Sequence, residues 1–110
     1  MDKLLEIIEK IGFPSAYHHF AEGESPNPPF LIYILPVSDN FSADGRVYFK
    51  ANEVHIEVYI DYKNLDIEKK VEVVLDEYGI FYNKSEVFIE SEKLYEVLYI
   101  FEMEEENHGK

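Results

Sequence analysis

The sequence contains no cysteine and no tryptophan, and only one arginine, Arg46, among its ten basic residues. The lack of cysteine excludes disulfides, thiolate zinc sites and cysteine nucleophiles. The lysines are scattered, and only Lys69 and Lys70 adjoin. A protein that grips phosphate groups needs clustered basic side chains. We therefore expect no sequence-specific nucleic-acid binding.

Glycine and long apolar runs are also scarce. The five glycines are spread singly, so a glycine-rich phosphate loop is excluded, and the sequence has no dinucleotide fingerprint, Gly-x-Ser-x-Gly or His-Glu-x-x-His motif. The apolar runs are far shorter than a bilayer span. Charges interrupt the first segment, MDKLLEIIEKIG, which has no apolar core of a secretion signal. We expect no membrane contact and a chain that is cytoplasmic when made.

What the sequence does contain is acidic and aromatic. It has 110 residues, a formal net charge of −13, 46% hydrophobic residues, nine tyrosines and eight phenylalanines. This length predicts one domain, and a chain of this size buries roughly 60% of its surface on folding. Aromatic residues favour sheets and interfaces. The charge has two interpretations: solubility, or a surface that repels DNA, as a channel through which DNA slides would need.

Two segments have the apolar spacing of amphipathic helices. The first begins at Asp2 and ends at Gly12, with Pro14 just beyond it. The second begins at Asn64 or Asp66 and ends at Gly79. The predicted buried stripes are Leu4, Ile7, Ile8 and Ile11 in the first helix, and Ile67, Val71, Val74, Leu75 and Tyr78 in the second.

The remaining segments alternate or run apolar in the manner of strands. The predicted strands are SAYHHF, FLIYILPV, RVYFK, NEVHIEVYIDY, IFYN, EVFIES and KLYEVLYIFEM. We expect FLIYILPV to be covered on both faces, and RVYFK and NEVHIEVYIDY to pair around Ala51-Asn52. Irregular loops are predicted at 22–29 and 38–45. The last strand is apolar on both faces, which favours a central strand or one that meets a partner.

These elements predict an α+β fold in the order helix, strands, helix, strands. The sheet is mostly antiparallel with about five to six strands, and both helices pack on one face. We expect a single α+β domain over residues 1–103 and an acidic, disordered tail over residues 104–110.

Three groups of residues have side chains that are capable of chemistry. Adjacent strand residues point to opposite faces, so His18 and His19 are not expected to share a metal, and a site would need one of them with His55 and a carboxylate. Acid–base pairs such as Glu53 and Glu57 are explained as solvated strand charges. A base-stacking stripe at Tyr95 and Tyr99 would need a basic groove, so packing or a subunit contact explains these tyrosines better. We predict no catalytic residue, metal ligand or cofactor site, and no enzyme.

The segments GFPSAYHHF, PPFLIY, PVSDNFSADGRVYF, EVHIEVYIDYKN, VLDEYGIFYNKSE and SEKLYEVLYIFEM, taken in order, resemble a family of small head–tail morphogenesis proteins of phages and prophages of Gram-positive bacteria. The resemblance covers residues 4–103 and is to tail-completion, or tail-terminator-like, minor tail proteins. It implies an α+β fold and a hexameric ring at the end of the tail tube. The implied partners are other copies of the chain, the tail-tube protein and head-connector proteins, and the implied locations are the host cytoplasm during assembly and the virion tail.

Two polar loops between strong strands are the predicted contact regions, because loops on a rigid scaffold often carry contacts. Phe41, an aromatic residue in a polar loop, is the favoured anchor; a fold-back onto its own core is the alternative. The predicted interaction residues are Asp39, Asn40, Phe41, Asp44, Arg46, Pro28 and Pro29.

A second class of function stays open at the level of sequence. The acidic composition also fits a phage-encoded regulator or anti-host protein that binds a basic partner. A mimic of DNA would need carboxylates spaced along one exposed surface, whereas many of the glutamates fall in the predicted tail and on helix faces. Tail assembly therefore ranks first, a regulator second and an enzyme third.

Overall fold

The computed structural model describes residues 2–43 and 46–105, with side chains between residues 3 and 36 and between residues 53 and 103. The elements are α1 (Asp2–Ile11), β1 (Ser15–Tyr17), β2 (Phe30–Ala43), β3 (Arg46–Ile60), α2 (Leu65–Glu77), β4 (Asn83–Ile89) and β5 (Leu94–Glu105). Neither of these helices is long and apolar enough to cross a membrane.

Both helices begin and end where local chemistry requires. The side chain of Asn64 accepts a hydrogen bond from the backbone N–H of Asp66 at 3.0 Å and caps α2. Gly12 and Gly79 follow the two helices with φ of +85° and +68°. Residues with a Cβ rarely adopt this left-handed backbone conformation, so a glycine can end each helix with little conformational strain. The predicted helix boundaries are confirmed.

The five strands form one sheet in the order β1-β2-β3-β5-β4. The short β1 pairs in parallel with β2, and all other pairs are antiparallel. The predicted class, α+β with a mostly antiparallel sheet and two helices, is confirmed. β5 lies between β3 and β4, as its apolar residues on both faces indicated.

Both helices contribute to one hydrophobic core on one face of the sheet. Alternate residues of β3 and β5 point into it, because side chains along a strand alternate between faces. The fully buried members are Leu4, Ile7 and Ile11 of α1, Leu31 of β2, Val54, Ile56, Val58 and Ile60 of β3, Val71 and Leu75 of α2, and Val97 and Tyr99 of β5.

Three predictions about strands were wrong. Residues 38–43 continue β2 instead of forming a loop, and residues 46–60 form one strand instead of two around Ala51-Asn52. The two strands pair from Phe30↔Tyr59 to Ala43↔Arg46 in one long hairpin, with register shifts after Ile34 and Phe41. Cross-strand pairing here outweighs the local turn preference of Ser, Asp and Asn. The predicted strand IFYN is absent over residues 80–82, and β4 begins at Asn83.

The boundary of the predicted tail also falls inside a described element. β5 runs to Glu105 and pairs there with Lys50 of β3. Residues 106–110 lie outside the described residues.

Candidate interaction surface

The sheet face opposite the helices carries apolar side chains on either side of a polar column; we call it the open face. In register across the strands, Ile32 of β2 and Leu98 of β5 flank Glu57 of β3. One row further, Ile34 and Ile100 flank His55 in the same way. All six side chains are partly exposed. The prediction that FLIYILPV is covered on both faces was therefore wrong, because both helices pack on the other side.

An aromatic cluster closes one end of the open face. Phe30 stacks on Tyr59 with ring centroids 5.0 Å apart, and Phe20 packs edge-on against Phe30 at 5.5 Å. Phe20 belongs to the segment between β1 and β2. This segment therefore covers Phe30, which is buried.

Two carboxylates of the open face converge on one phenol. The Tyr59 hydroxyl donates to Glu57 at 2.8 Å and lies 3.4 Å from the nearer carboxylate oxygen of Glu96. Burial and the charge of Glu57 raise the pKa of Glu96, and burial and the bond to Glu57 raise the pKa of Tyr59. A phenol has one proton, so one carboxylate at a time receives a strong hydrogen bond. The arrangement concentrates negative charge around one hydroxyl group.

The polar column continues at the other end of the face. The Nε2 of His55 contacts Glu53 at 2.6 Å. Glu53 faces Glu102 across the β3–β5 pair. Like charges directly opposite one another repel, and the contact with His55 offsets this for Glu53. The open face is thus acidic along β3 and β5.

A second charged network lies at the helix side of the sheet edge. Glu68 of α2, 2% exposed, contacts Lys63 at 2.6 Å and Lys84 at 2.8 Å. Lys84 also contacts Glu72 at 2.6 Å, and Lys63 contacts Glu86. Burial alone would raise the pKa of Glu68, but the two ammonium groups outweigh it and lower that pKa. These ion pairs hold α2 against the edge strand β4, so the network stabilises the fold.

Tyr99 of β5 belongs to this network and not to a stacking surface. Its ring is fully buried, and its hydroxyl donates to Glu72 at 2.9 Å. Burial and this bond raise the pKa of Tyr99. The interpretation of the tyrosine at this position as a packing residue is confirmed.

The predicted interaction residues fall into two separate groups. Pro28 and Pro29, both partly buried, precede β2 directly. Asp39, Asn40 and Phe41 lie near the other end of β2, where they pair with Ala51, Lys50 and Phe49, and Arg46 begins β3 opposite Ala43. Twelve residues of extended chain separate Pro29 from Phe41, about 40 Å at ~3.3 Å per residue. Asp44 lies outside the described residues. One surface therefore does not contain all seven, and their role in contacts stays a prediction.

The two adjacent histidines are placed differently from the expectation. β1 ends at Tyr17, and His18 has a left-handed backbone with φ of 71°. Both rings consequently turn to the same side, with their Nδ1 atoms 3.0 Å apart. In the described residues no group of three or more His, Asp or Glu side chains is arranged to hold a metal ion. The contact is explained by one ring donating a hydrogen bond to the other.

A groove of about 590 Å³ opens where β5 extends beyond the start of β4. It is lined by Glu53, Gly79, Ile80, Phe81, Asn83, Ile100, Phe101 and Glu102. Phe81 is 98% exposed at its rim. The groove adjoins the open face at Glu53 and Ile100.

Sequence reasoning missed the convergence of Glu57, Tyr59 and Glu96. Alternation along β3 places Glu57 and Tyr59 on one face, and alternation along β5 places Glu96 with Leu98. The register that sets Tyr59 opposite Glu96 depends on strand pairing between segments 37 residues apart. The available signal was Glu96, the one charged residue in the run of residues 94–101.

Comparisons with known proteins give a fold but no family. No family model matches the sequence, and no curated protein matches it. Among solved structures, the chain is similar to a chain of the virion of a native gene transfer agent particle, with a TM-score of 0.59 and 10% sequence identity. The alignment covers 89% of this chain and 82% of that chain. At this identity the similarity is one of fold.

Proposed function

We propose that this protein is a structural component of a phage or prophage virion that acts in tail completion or head–tail joining. The observation that carries the proposal is the fold similarity to a virion chain over 89% of the length. The ordered sequence resemblance to tail-completion proteins agrees with it independently. The surface chemistry is compatible, because the described residues present partly exposed apolar side chains and acidic groups on one face of the sheet.

The working form of the protein in this proposal is a closed ring. A heterologous contact repeats one pair of different patches until the rotation closes. Each copy contributes a net charge of −13, so the contacts must be mostly apolar or screened by salt. The same charge would keep passing DNA from adhering to the lumen.

Size-exclusion chromatography with light scattering tests the ring. The purified protein is measured at several concentrations in 0.05 M and 0.5 M salt, and negative-stain electron microscopy checks the shape of any oligomer. We expect a hexamer that high salt favours, since salt screens repulsion between acidic subunits. A dimer or an open polymer would contradict the ring. A monomer under all conditions would contradict spontaneous ring formation and favour the regulator alternative.

A further inference from the structure

The open face carries two partly exposed apolar stripes beside a polar column. Ile32 and Ile34 form one apolar stripe on β2, and Leu98 and Ile100 form another on β5. Contiguous apolar patches with polar neighbours mark interaction sites on soluble proteins. Both helices already occupy the opposite side, where the core is complete.

The distance between the two stripes limits the shape of the partner. They lie on strands separated by β3, which places them about 10 Å apart at ~4.8 Å per strand step. An α-helix with its side chains is about 10 Å wide. A single helix lying along β3 would therefore contact both stripes with the two flanks of one apolar surface.

The column between the stripes determines the chemistry at the centre of that helix. Glu57 of the column and Glu96, which lies beside Leu98 on β5, both face the hydroxyl of Tyr59. A fully apolar partner would bury these carboxylates without donors, which is costly. An ammonium or guanidinium group would instead complete their hydrogen bonds and balance their charge.

Charge also argues against a second copy of this chain as the occupant. Two open faces packed together would bring Glu57 and Glu96 of both copies into one buried layer. Lys63 and Lys84 are already paired with glutamates at the helix side. The charge complement of the open face is therefore a basic group from a surface of a different kind.

We propose that the open face binds an amphipathic helix of a different protein, with a lysine or arginine at the centre of the helix's apolar stripe. The flanks of the stripe pack on Ile32 and Leu98, and the central cation lies over Glu57 and Glu96. This inference goes beyond the proposed ring, since it concerns the sheet face of each subunit and applies to a monomer or a hexamer.

A designed peptide pair tests the proposal on the full chain. The probe is a helical peptide with a leucine stripe, one lysine at its centre and glutamine elsewhere, so that its net charge is small. The matched control peptide replaces the lysine with norleucine, which keeps the length of the side chain and removes the ammonium group. Binding is followed by amide chemical shifts of ¹⁵N-labelled protein at 0.15 M salt.

We expect the probe to shift amides around Ile32, Glu57 and Leu98, and to bind at least tenfold more tightly than the norleucine peptide. The double variant Glu57→Gln/Glu96→Gln should lose this preference. The matched variant Glu9→Gln/Glu77→Gln changes two exposed helix carboxylates and should keep it. Circular dichroism confirms that both variants fold.

Three results of the peptide measurements would overturn the proposal: equal binding of the two peptides, shifts confined to α1 and α2, and no binding of the probe. A fourth comes from light scattering. Light scattering of the Leu98→Lys variant shows whether the open face takes part in an oligomer, and so tests this proposal separately from the proposed ring. If the protein forms an oligomer that Leu98→Lys dissolves, the open face binds a second copy and the proposed basic partner is wrong.

Discussion

The carboxylate of Glu68 on α2 lies 2.8 Å from the ammonium group of Lys84 on the edge strand β4. Glu68 is 2% exposed, whereas the side chain of Lys84 is 36% exposed. The Glu68 carboxylate thus contacts the sheet edge from the helix side, and the Lys84 side chain stays accessible to water. Lys63 contacts the same carboxylate from the segment before α2. One buried glutamate therefore fixes three parts of the chain relative to one another.

Replacing Glu68 with glutamine should destabilise the fold by about 2 kcal/mol. Removing one partner of a buried ion pair leaves the other charge poorly compensated, and the partial exposure of both lysines reduces that cost. The measurement is urea unfolding at pH 7. Glu77→Gln is the matched control, because Glu77 is 58% exposed and lies 4.0 Å from Lys10; it should change stability by less than about 0.5 kcal/mol. Equal effects of the two variants would contradict a special role for Glu68.

The same carboxylate predicts a loss of stability in acid. The pKa of Glu68 is lowered in the folded protein, so the unfolded chain binds its proton at higher pH than the folded chain does. The contribution of Glu68 is then fully present above the ordinary glutamate pKa and is lost as pH falls through the folded pKa. We expect the free-energy difference between wild type and Glu68→Gln to shrink as the pH falls below about 4.5. A difference that stays constant down to pH 3 would contradict this.

Glu96 should show the opposite dependence. Its pKa is raised by burial and by Glu57, so the folded protein takes up the proton first and gains stability from this group as pH falls through the folded pKa. Glu96→Gln removes the charge at neutral pH, and we expect it to stabilise the isolated protein at pH 7 by up to about 1 kcal/mol. The gain should disappear near pH 4. Urea unfolding at both pH values measures it, and destabilisation at pH 7 would be the contrary result.

Local signals made the helices and the class of fold predictable. The cap at Asn64 and the glycines that follow each helix act within a few residues, so a single sequence reveals them. The alternation of residues along β5 likewise predicted which of them share each face of the strand. Segment 38–43 was mispredicted because its turn-forming residues are held in a strand by pairing with residues 46–52, and that pairing is not local.

The open face could not be predicted for the same physical reason. Alternation shows which residues share a face of one strand, but the choice of the face that the helices cover depends on packing of distant segments. Ile32, Glu57 and Leu98 become neighbours only through two strand pairings. These residues are far apart in the sequence, so the sequence alone does not show that they form one continuous row across the sheet.

Tyr99→Phe should cost about 1–2 kcal/mol of stability. The substitution leaves the buried ring in place and removes the hydrogen bond from its hydroxyl to Glu72, and bonds to charged groups are worth more than neutral ones. Thermal and urea unfolding measure the change. Tyr62→Phe is the control because Tyr62 is 62% exposed, and it should have little effect. If both variants behave alike, the bond to Glu72 contributes nothing measurable.

Shortening the β2–β3 hairpin should separate folding from assembly. In the shortened protein, the two residues Asn-Gly replace residues 41–49 and connect Asn40 to Lys50. The change removes Phe41, Asp44 and Arg46 together, and Asn-Gly suits a two-residue hairpin connection. Among the side chains that the structure describes on these strands, the shortened protein keeps all the buried ones: Phe30, Leu31, Val54, Ile56, Val58 and Ile60. We therefore expect stability to change by no more than about 1 kcal/mol.

Assembly should be lost in the shortened protein if the hairpin end contacts a neighbouring subunit or the tail tube. Light scattering compares it with the full chain at equal concentration and salt. Phe41→Ser, which keeps the length of the hairpin, tells an aromatic anchor apart from a requirement for length. A shortened protein that folds and still forms the same oligomer would show that the contacts lie elsewhere, and the segment around Pro28 and Pro29 would then be the next region to change.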